Sequence, residues 1–190
     1  NANFAWLQHM IHHLAPNGRI GMVLANGSLS SQSGGEGDIR KNIINRHLIK
    51  GIIGLPANLF YGTGIPACII VLDKENTETR TGIFMIDASH GFIKDGDKNR
   101  LREQDIYKIV TTFNSMIEVS GFSRFVPFDE IINKNSYNLN IPRYIDSTEK
   151  EDLQSIEAHL YGGIPQDDID NISHFWNVFP NLKNQIFGEY

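Results

Sequence analysis

The side chains that could do chemistry fall into four short stretches. His9, His12 and His13 share one apolar-periodic segment, and His9 and His13 are spaced i, i+4. On a helix that spacing puts two imidazoles on one face, which can hold zinc when further ligands stand near. No cysteine or carboxylate is close in sequence and no H-E-x-x-H occurs, so they read as half-exposed helix residues and no metal is assigned. "SSQSGGEGDIR" sets glycines ahead of a helix, where free N–H groups can receive a phosphate. It lacks the Lys-Ser/Thr of a P-loop and the G-x-G-x-x-G spacing, and Glu36 and Asp38 would repel an anion. It reads as a mobile loop. "KDGDKNR" begins like a calcium loop, but the downstream Glu spacing fails. Its Lys94, Lys98 and Arg100, with Arg102 beyond, are either a solvated loop or contacts to a phosphate backbone.

The fourth stretch is "LPANLFYGTGIP". Phe60 and Tyr61 stand side by side among Gly, Thr and Asn, between two apolar runs. One reading is a turn whose rings fold back on a sheet edge. The other is a stacking surface. A base swung out of a duplex loses its stacked neighbours, and an aromatic face replaces them for about 1–3 kcal/mol per base. That requires rings on a loop at a strand end, with small neighbours that admit a planar base. No G-x-S-x-G elbow points to acyl transfer. The single cysteine, Cys68, lies in an apolar run and reads as a buried strand thiol; no disulfide framework exists.

The elements that must position these residues alternate. Phe4, Leu7, Ile11 and Leu14 recur at helical spacing over residues 3–15, and Pro16-Asn17-Gly18 ends the run. Residues 20–25 are apolar throughout, which predicts a strand buried on both faces. A second helix is expected over 36–47, with Asp38 near its start and Arg46 at its end. Strands follow at 49–55, 67–72 and "GIFMIDAS", the last two close enough to pair antiparallel. "HGFIKDGDKNRL" is a polar, basic loop. "REQDIYKIVTTFNSMIEV" is a helix with Ile106, Ile109, Val110, Phe113 and Ile117 in phase. Short strands and turns run to Ile145. Helices follow, the first capped by Ser147 or Thr148 and stopped at Gly162-Gly163, with a break near Pro180. Strand, helix, strand at these lengths is an α/β sheet.

With 41% hydrophobic and 21% charged residues, the composition is that of an ordinary globular protein. No run of about 18 apolar residues predicts a membrane span. The start of the chain has neither the basic region nor the cleavage site of a signal peptide, and a cytoplasmic location is expected. The net charge of −5 argues against DNA binding by charge alone. It is uneven: from Asp146 onward nine acids face two bases, whereas residues 1–145 carry thirteen acids and fifteen bases. An acidic tail is either a solvated helical face or a surface that meets protein rather than nucleic acid.

Taken in order, "FAWLQHMIHHLAPNGRIGMVLANGSLSS", "EGDIRKNII", "IIGLPANLFYGTGIPACIIVLDK", "IFMIDAS" and "YNLNIPRY" closely resemble the modification subunit of type I restriction-modification systems, an adenine-N6 DNA methyltransferase family. The match covers about residues 1–146, and "GGIPQDDIDNISHFWNVFPNL" is similar to the family's C-terminal helical extension. The resemblance implies the C-terminal part of a Rossmann-like S-adenosylmethionine-dependent methyltransferase sheet, mixed, with an antiparallel strand. Strands at 20–25, 49–55 and 67–72 would be the fifth, the sixth and the antiparallel seventh. It implies a division into 1–90 (half of the catalytic domain), 91–146 (basic loop, helix and short strands) and 147–190 (acidic helical extension).

By the same resemblance, "LPANLFYGTGIP" matches the motif whose aromatic packs on the flipped adenine, with Phe60 in the best position and Tyr61 in reserve. The implied partners are DNA, a specificity subunit and a restriction subunit, with no membrane. The family's Gly-rich cofactor loop and N-P-P-F tetrapeptide do not occur here. S-adenosylmethionine is therefore a family-level cofactor with no binding residue in this chain, and the catalytic residues are absent. The expectation is a C-terminal portion, inactive alone, whose 20–25 strand has lost its neighbour and drives association. The alternatives are a non-catalytic assembly module with a degenerate methyltransferase sheet that binds a protein partner, or an unrelated α/β enzyme using the histidine helix.

Overall fold

The computed structural model describes residues 3–148, 155–179 and 181–187. The chain forms two compact units, Asn1–Thr148 and Glu149–Tyr190. The first is built on a five-stranded sheet, in the order β1 (Arg19–Ala25), β3 (Ala67–Asp73), β2 (Ile49–Gly54), β4 (Gly82–Asp87), β7 (Ser123–Pro127). β3 runs antiparallel to both of its neighbours, β2 and β4 are parallel, and β7 is antiparallel to β4.

β3 and β4 do not form a hairpin. Both edges of β3 are taken by β1 and β2, so β4 crosses to the far side of β2 (Gly51 opposite Phe84, Gly54 opposite Asp87). Nor is β1 buried on both faces. It is an edge strand in which only Leu24 is fully buried and Val23 is exposed. β4, apolar and flanked on both sides, is buried at every position.

One face of the sheet carries α1 (Asn3–His13) and α2 (Glu36–Asn45). Phe4, Leu7 and Ile11 of α1 and Ile43 and Ile44 of α2 pack on Leu24, Ile52, Ile70 and Leu72. The other face carries α3 (Glu103–Ser115), whose Ile109 and Phe113 join Ile53, Phe84 and Ile86. At Gly51 a Cβ would stand 2.4 Å from the Phe113 ring and 2.7 Å from the Phe84 carbonyl, so glycine is what lets this helix sit down on the sheet. The expected phase of α3 holds for Ile109 and Phe113 only; Ile106, Val110 and Ile117 are exposed.

The basic "loop" contains a small hairpin, β5 (Ile93–Asp95) and β6 (Lys98–Arg100). Gly96 turns it at φ +62°, which suits the first position of a two-residue turn. Among its described residues the second unit has four short helices: α4 (Ile156–Tyr161), α5 (Gln166–Asn171), α6 (Ser173–Val178) and α7 (Leu182–Ile186). The cap of α4 is Ser155, which accepts from the Ala158 N–H at 3.3 Å, and not Ser147 or Thr148. Ser147 instead donates to Asp87 at 2.6 Å. Gly162, at φ +81°, ends α4 as expected. Trp176 donates to the Ile169 carbonyl at 2.8 Å. The expected break at Pro180 lies outside the described residues.

Candidate functional site

β1, β2 and β4 all point the same way, and β3 and β7 run against them. The segments after β1 (26–35), β2 (55–66) and β4 (88–92) therefore leave from one rim of the sheet. In open α/β sheets ligands bind outside the carboxyl ends of the strands. Phe60 and Tyr61 lie on that rim, 40% and 93% exposed. The rings are not folded into the core; Leu59, their neighbour, is the residue that packs against it.

The rim is tied together by main-chain groups. The Asn26 N–H donates to the Pro66 carbonyl at 2.9 Å, joining the end of β1 to the start of β3. The Leu55 N–H donates to Ala67 at 2.8 Å, and the Ala88 N–H to Gly54 at 3.0 Å. Asp87, at the tip of β4, accepts from the Ser89 N–H and from Ser147.

The segment after β1 is a compact turn rather than open coil. Ser33–Gly35 makes a 3₁₀ turn, with Gly34 at φ +59° and Gly35 at φ +80°. Arg40, 1% exposed, reaches back from α2 and donates to the carbonyls of Ser31 (2.6 Å), Ser28 (3.4 Å) and Tyr137 (2.9 Å). Burial lowers its pKa from the ordinary arginine value, and the Glu36 carboxylate opposes this. The Glu36 side chain is itself buried, and neither oxygen has a partner among the described residues. The sequence reading passes over Arg40 and treats Glu36 only as a charge that repels anions. The signal was there: Glu36, Arg40, Ile43 and Ile44 follow the i, i+4, i+7, i+8 stripe of a core-facing helix.

The basic residues part ways. Lys94 is exposed, and Arg100 is exposed and paired with Asp95 at 2.9 Å. Lys98 turns inward to the aromatic loop and donates to the carbonyls of Phe60 (2.9 Å) and Thr63 (3.2 Å). Arg102 pairs with Asp105 at 2.8 Å, across the start of α3. On α1 the His9 and His13 rings lie 4.4 Å apart, and His13 Nδ1 contacts the His9 carbonyl at 2.9 Å. Among the described residues no group of three or more His, Cys, Asp or Glu side chains is arranged to hold a metal ion. Cys68 is fully buried, and its thiol pKa is pushed up to about 12 by burial.

The family model of the N-6 DNA methylases matches residues 1–153. The chain belongs to this family. Among its methylase relatives, the type I restriction enzyme HindI methylase subunit of Haemophilus influenzae is 43% identical over 158 residues, covering 80% of this chain and 35% of the relative. The MjaVII methylase subunit of Methanocaldococcus jannaschii is 40% identical over 158 residues, covering 80% of this chain and 27% of the relative. A solved type I methyltransferase subunit from Streptococcus thermophilus superposes with a TM-score of 0.70 at 40% identity, over 77% of this chain and 31% of that one. This N-6 methylase chain thus spans about a third of the length of the relatives it matches. No helix among the described residues is long and apolar enough to cross a membrane.

Proposed function

We propose that this chain is the target-base side of a DNA adenine-N6 methyltransferase subunit of a type I restriction-modification system. The whole protein would move a methyl group from S-adenosylmethionine to the exocyclic N6 of adenine, in the cytoplasm, with DNA, a specificity subunit and a restriction subunit as partners. The observation that carries the reading is the exposed Phe60–Tyr61 pair at the carboxyl rim of a methylase sheet. An adenine drawn out of the duplex would lie on the Phe60 ring, with Tyr61 beside it. Lys94 and Arg100, exposed on the adjoining hairpin, would be the phosphate contacts of this reading.

The residues of this chain do not fit the cofactor. Among the described residues, the glycine turn after β1 has Arg40 occupying its flanking carbonyls, and open space where side chains of Gly34 and Gly35 would stand, so no narrow cradle is built there. No step through the cofactor is assigned to these residues. Their contribution is to hold the base still while the reaction partners are brought by the rest of the protein. In the intact enzyme, Phe60→Ala should weaken binding of DNA carrying an abasic-paired target adenine by about 5- to 150-fold, the equivalent of 1–3 kcal/mol. Unchanged affinity for that substrate rules the assignment out.

A further inference from the structure

We infer that the β5–β6 hairpin is the device that shapes the aromatic loop, and that Lys98 and Asn99 are positioning residues for Phe60 and Tyr61. The inference rests on the reading of that loop as the base-stacking wall.

Residues 57–64 have little of their own to hold them. One main-chain hydrogen bond closes the loop, from the Asn58 N–H to the Gly64 carbonyl at 3.3 Å. Asn58 and Gly62 sit at φ +53° and +77°. Such a segment, with two exposed aromatics and small neighbours, has many competing shapes. The hairpin supplies what is missing. The Asn99 side-chain Nδ2 donates to the Ala57 carbonyl at 2.7 Å, and its main-chain N–H donates to the Asn58 carbonyl at 2.9 Å. Lys98 Nζ donates to Phe60 and Thr63. Four hydrogen bonds from three donor groups on two consecutive residues thus take four carbonyls of one loop, including that of Phe60 itself. Asn99 is 5% exposed, so its two bonds are sheltered from competing water. The charge of Lys98 is engaged by the loop backbone. Its contribution is therefore to loop geometry and not to DNA affinity.

The test uses the intact enzyme with its partner subunits and DNA carrying 2-aminopurine at the target adenine. Phe60→Ala should raise the emission of the bound base, and Lys98→Met should reproduce most of that rise while Lys98→Arg restores the parent signal. The slope of log Kd against log salt should stay unchanged in Lys98→Met, because a phosphate contact would lower it by about one. The kcat of Lys98→Met should fall about tenfold with KM for DNA within twofold. A salt slope reduced by about one, with emission unmoved, overturns the inference and makes Lys98 a phosphate contact. Hydrogen exchange of the 57–64 amides separates the two ideas: Lys98→Met and Asn99→Ala should each speed it about tenfold. Unchanged exchange overturns the hairpin's role; faster exchange with Phe60→Ala silent in emission overturns the stacking reading alone. Lys98, at the surface, can be replaced without endangering folding if Asn99→Ala fails to fold.

Discussion

The turn after β1 and the loop after β2 leave the same rim of the sheet, both rich in glycine and serine or threonine, and each is fastened by one cation bonded to main-chain carbonyls. The cations differ in where they stand. Arg40 comes from inside, fully buried, and joins the turn after β1, at Ser28 and Ser31, to the distant Tyr137. Lys98 comes from a surface hairpin and reaches only the loop it faces. A buried anchor of this kind is part of what makes the unit fold. A surface anchor leaves the fold alone and sets only the position of what it holds. The first loop is built into the scaffold, and the second is fastened only from the surface.

Breaking the inner anchor should have the largest effect. Arg40→Met leaves three carbonyls and the buried Glu36 without their cation and should cost about 3–5 kcal/mol in urea unfolding. Adding Glu36→Gln to that variant should recover part of the loss. A loss below about 1 kcal/mol would show that the turn after β1 is held by packing alone. Asn99→Ala removes one sheltered side-chain bond and should cost about 1–3 kcal/mol in the same measurement. Lys98→Met should cost under about 1 kcal/mol, as surface interactions do, and so separate positioning from stability.

A control for both anchors, one whose effect is read through pH, lies at the opposite rim. Asp73 is buried and accepts from Arg19 (2.8 Å), Lys50 (3.3 Å) and the Glu75 N–H (2.9 Å). Burial pushes its pKa up, but the Glu75 amide, Lys50 and Arg19 together outweigh this and hold it below the usual carboxylate range. A depressed native pKa adds stability above the unfolded value of about 3.9 and loses it as the pH falls through the native one. The urea midpoint should therefore drop in acid below about pH 4, and less steeply in Asp73→Asn. Arg40 and Lys98 bond to carbonyl oxygens, which do not titrate, so hydrogen exchange in the two loops should stay flat over the same range once corrected for global unfolding.

How much of this was legible in the sequence follows from what each residue type announces. The runs at β1, β2, β3 and β4 and the periodicity of α1 and α2 announce themselves through apolar side chains, and these elements stand where they were read. The β3–β4 pairing was misread because a short connection suggests a hairpin. Whether both edges of β3 are already taken depends on β1, far upstream. The β5–β6 hairpin reads as loop because Lys94, Asp95, Asn99 and Arg100 carry no apolar alternation. Asn99 is buried by what the hairpin packs against, which no local pattern encodes. Phe60 and Tyr61 were legible as a rim feature, since aromatics amid turn residues conflict with their surroundings, and such conflicts mark functional places. Their fastening by Lys98 was not legible, because a lysine in a charged loop looks the same whether it faces water, phosphate or backbone.

The placement of β3 has a consequence for how the protein is made. Ile20 of β1 and Ile49 of β2 both meet Leu72. When the ribosome has delivered residues up to Leu55, two apolar strands already exist, yet neither has its hydrogen-bonding neighbour. They must wait for "ACIIVLD", which arrives last of the three and closes both ladders at once. Pairing across such a sequence distance is slow, and unpaired apolar strands are exposed while it is pending. The emergence of β3 is thus the point at which these two ladders can close, and a chain released before Asp73 would carry two apolar strands without the neighbour they share.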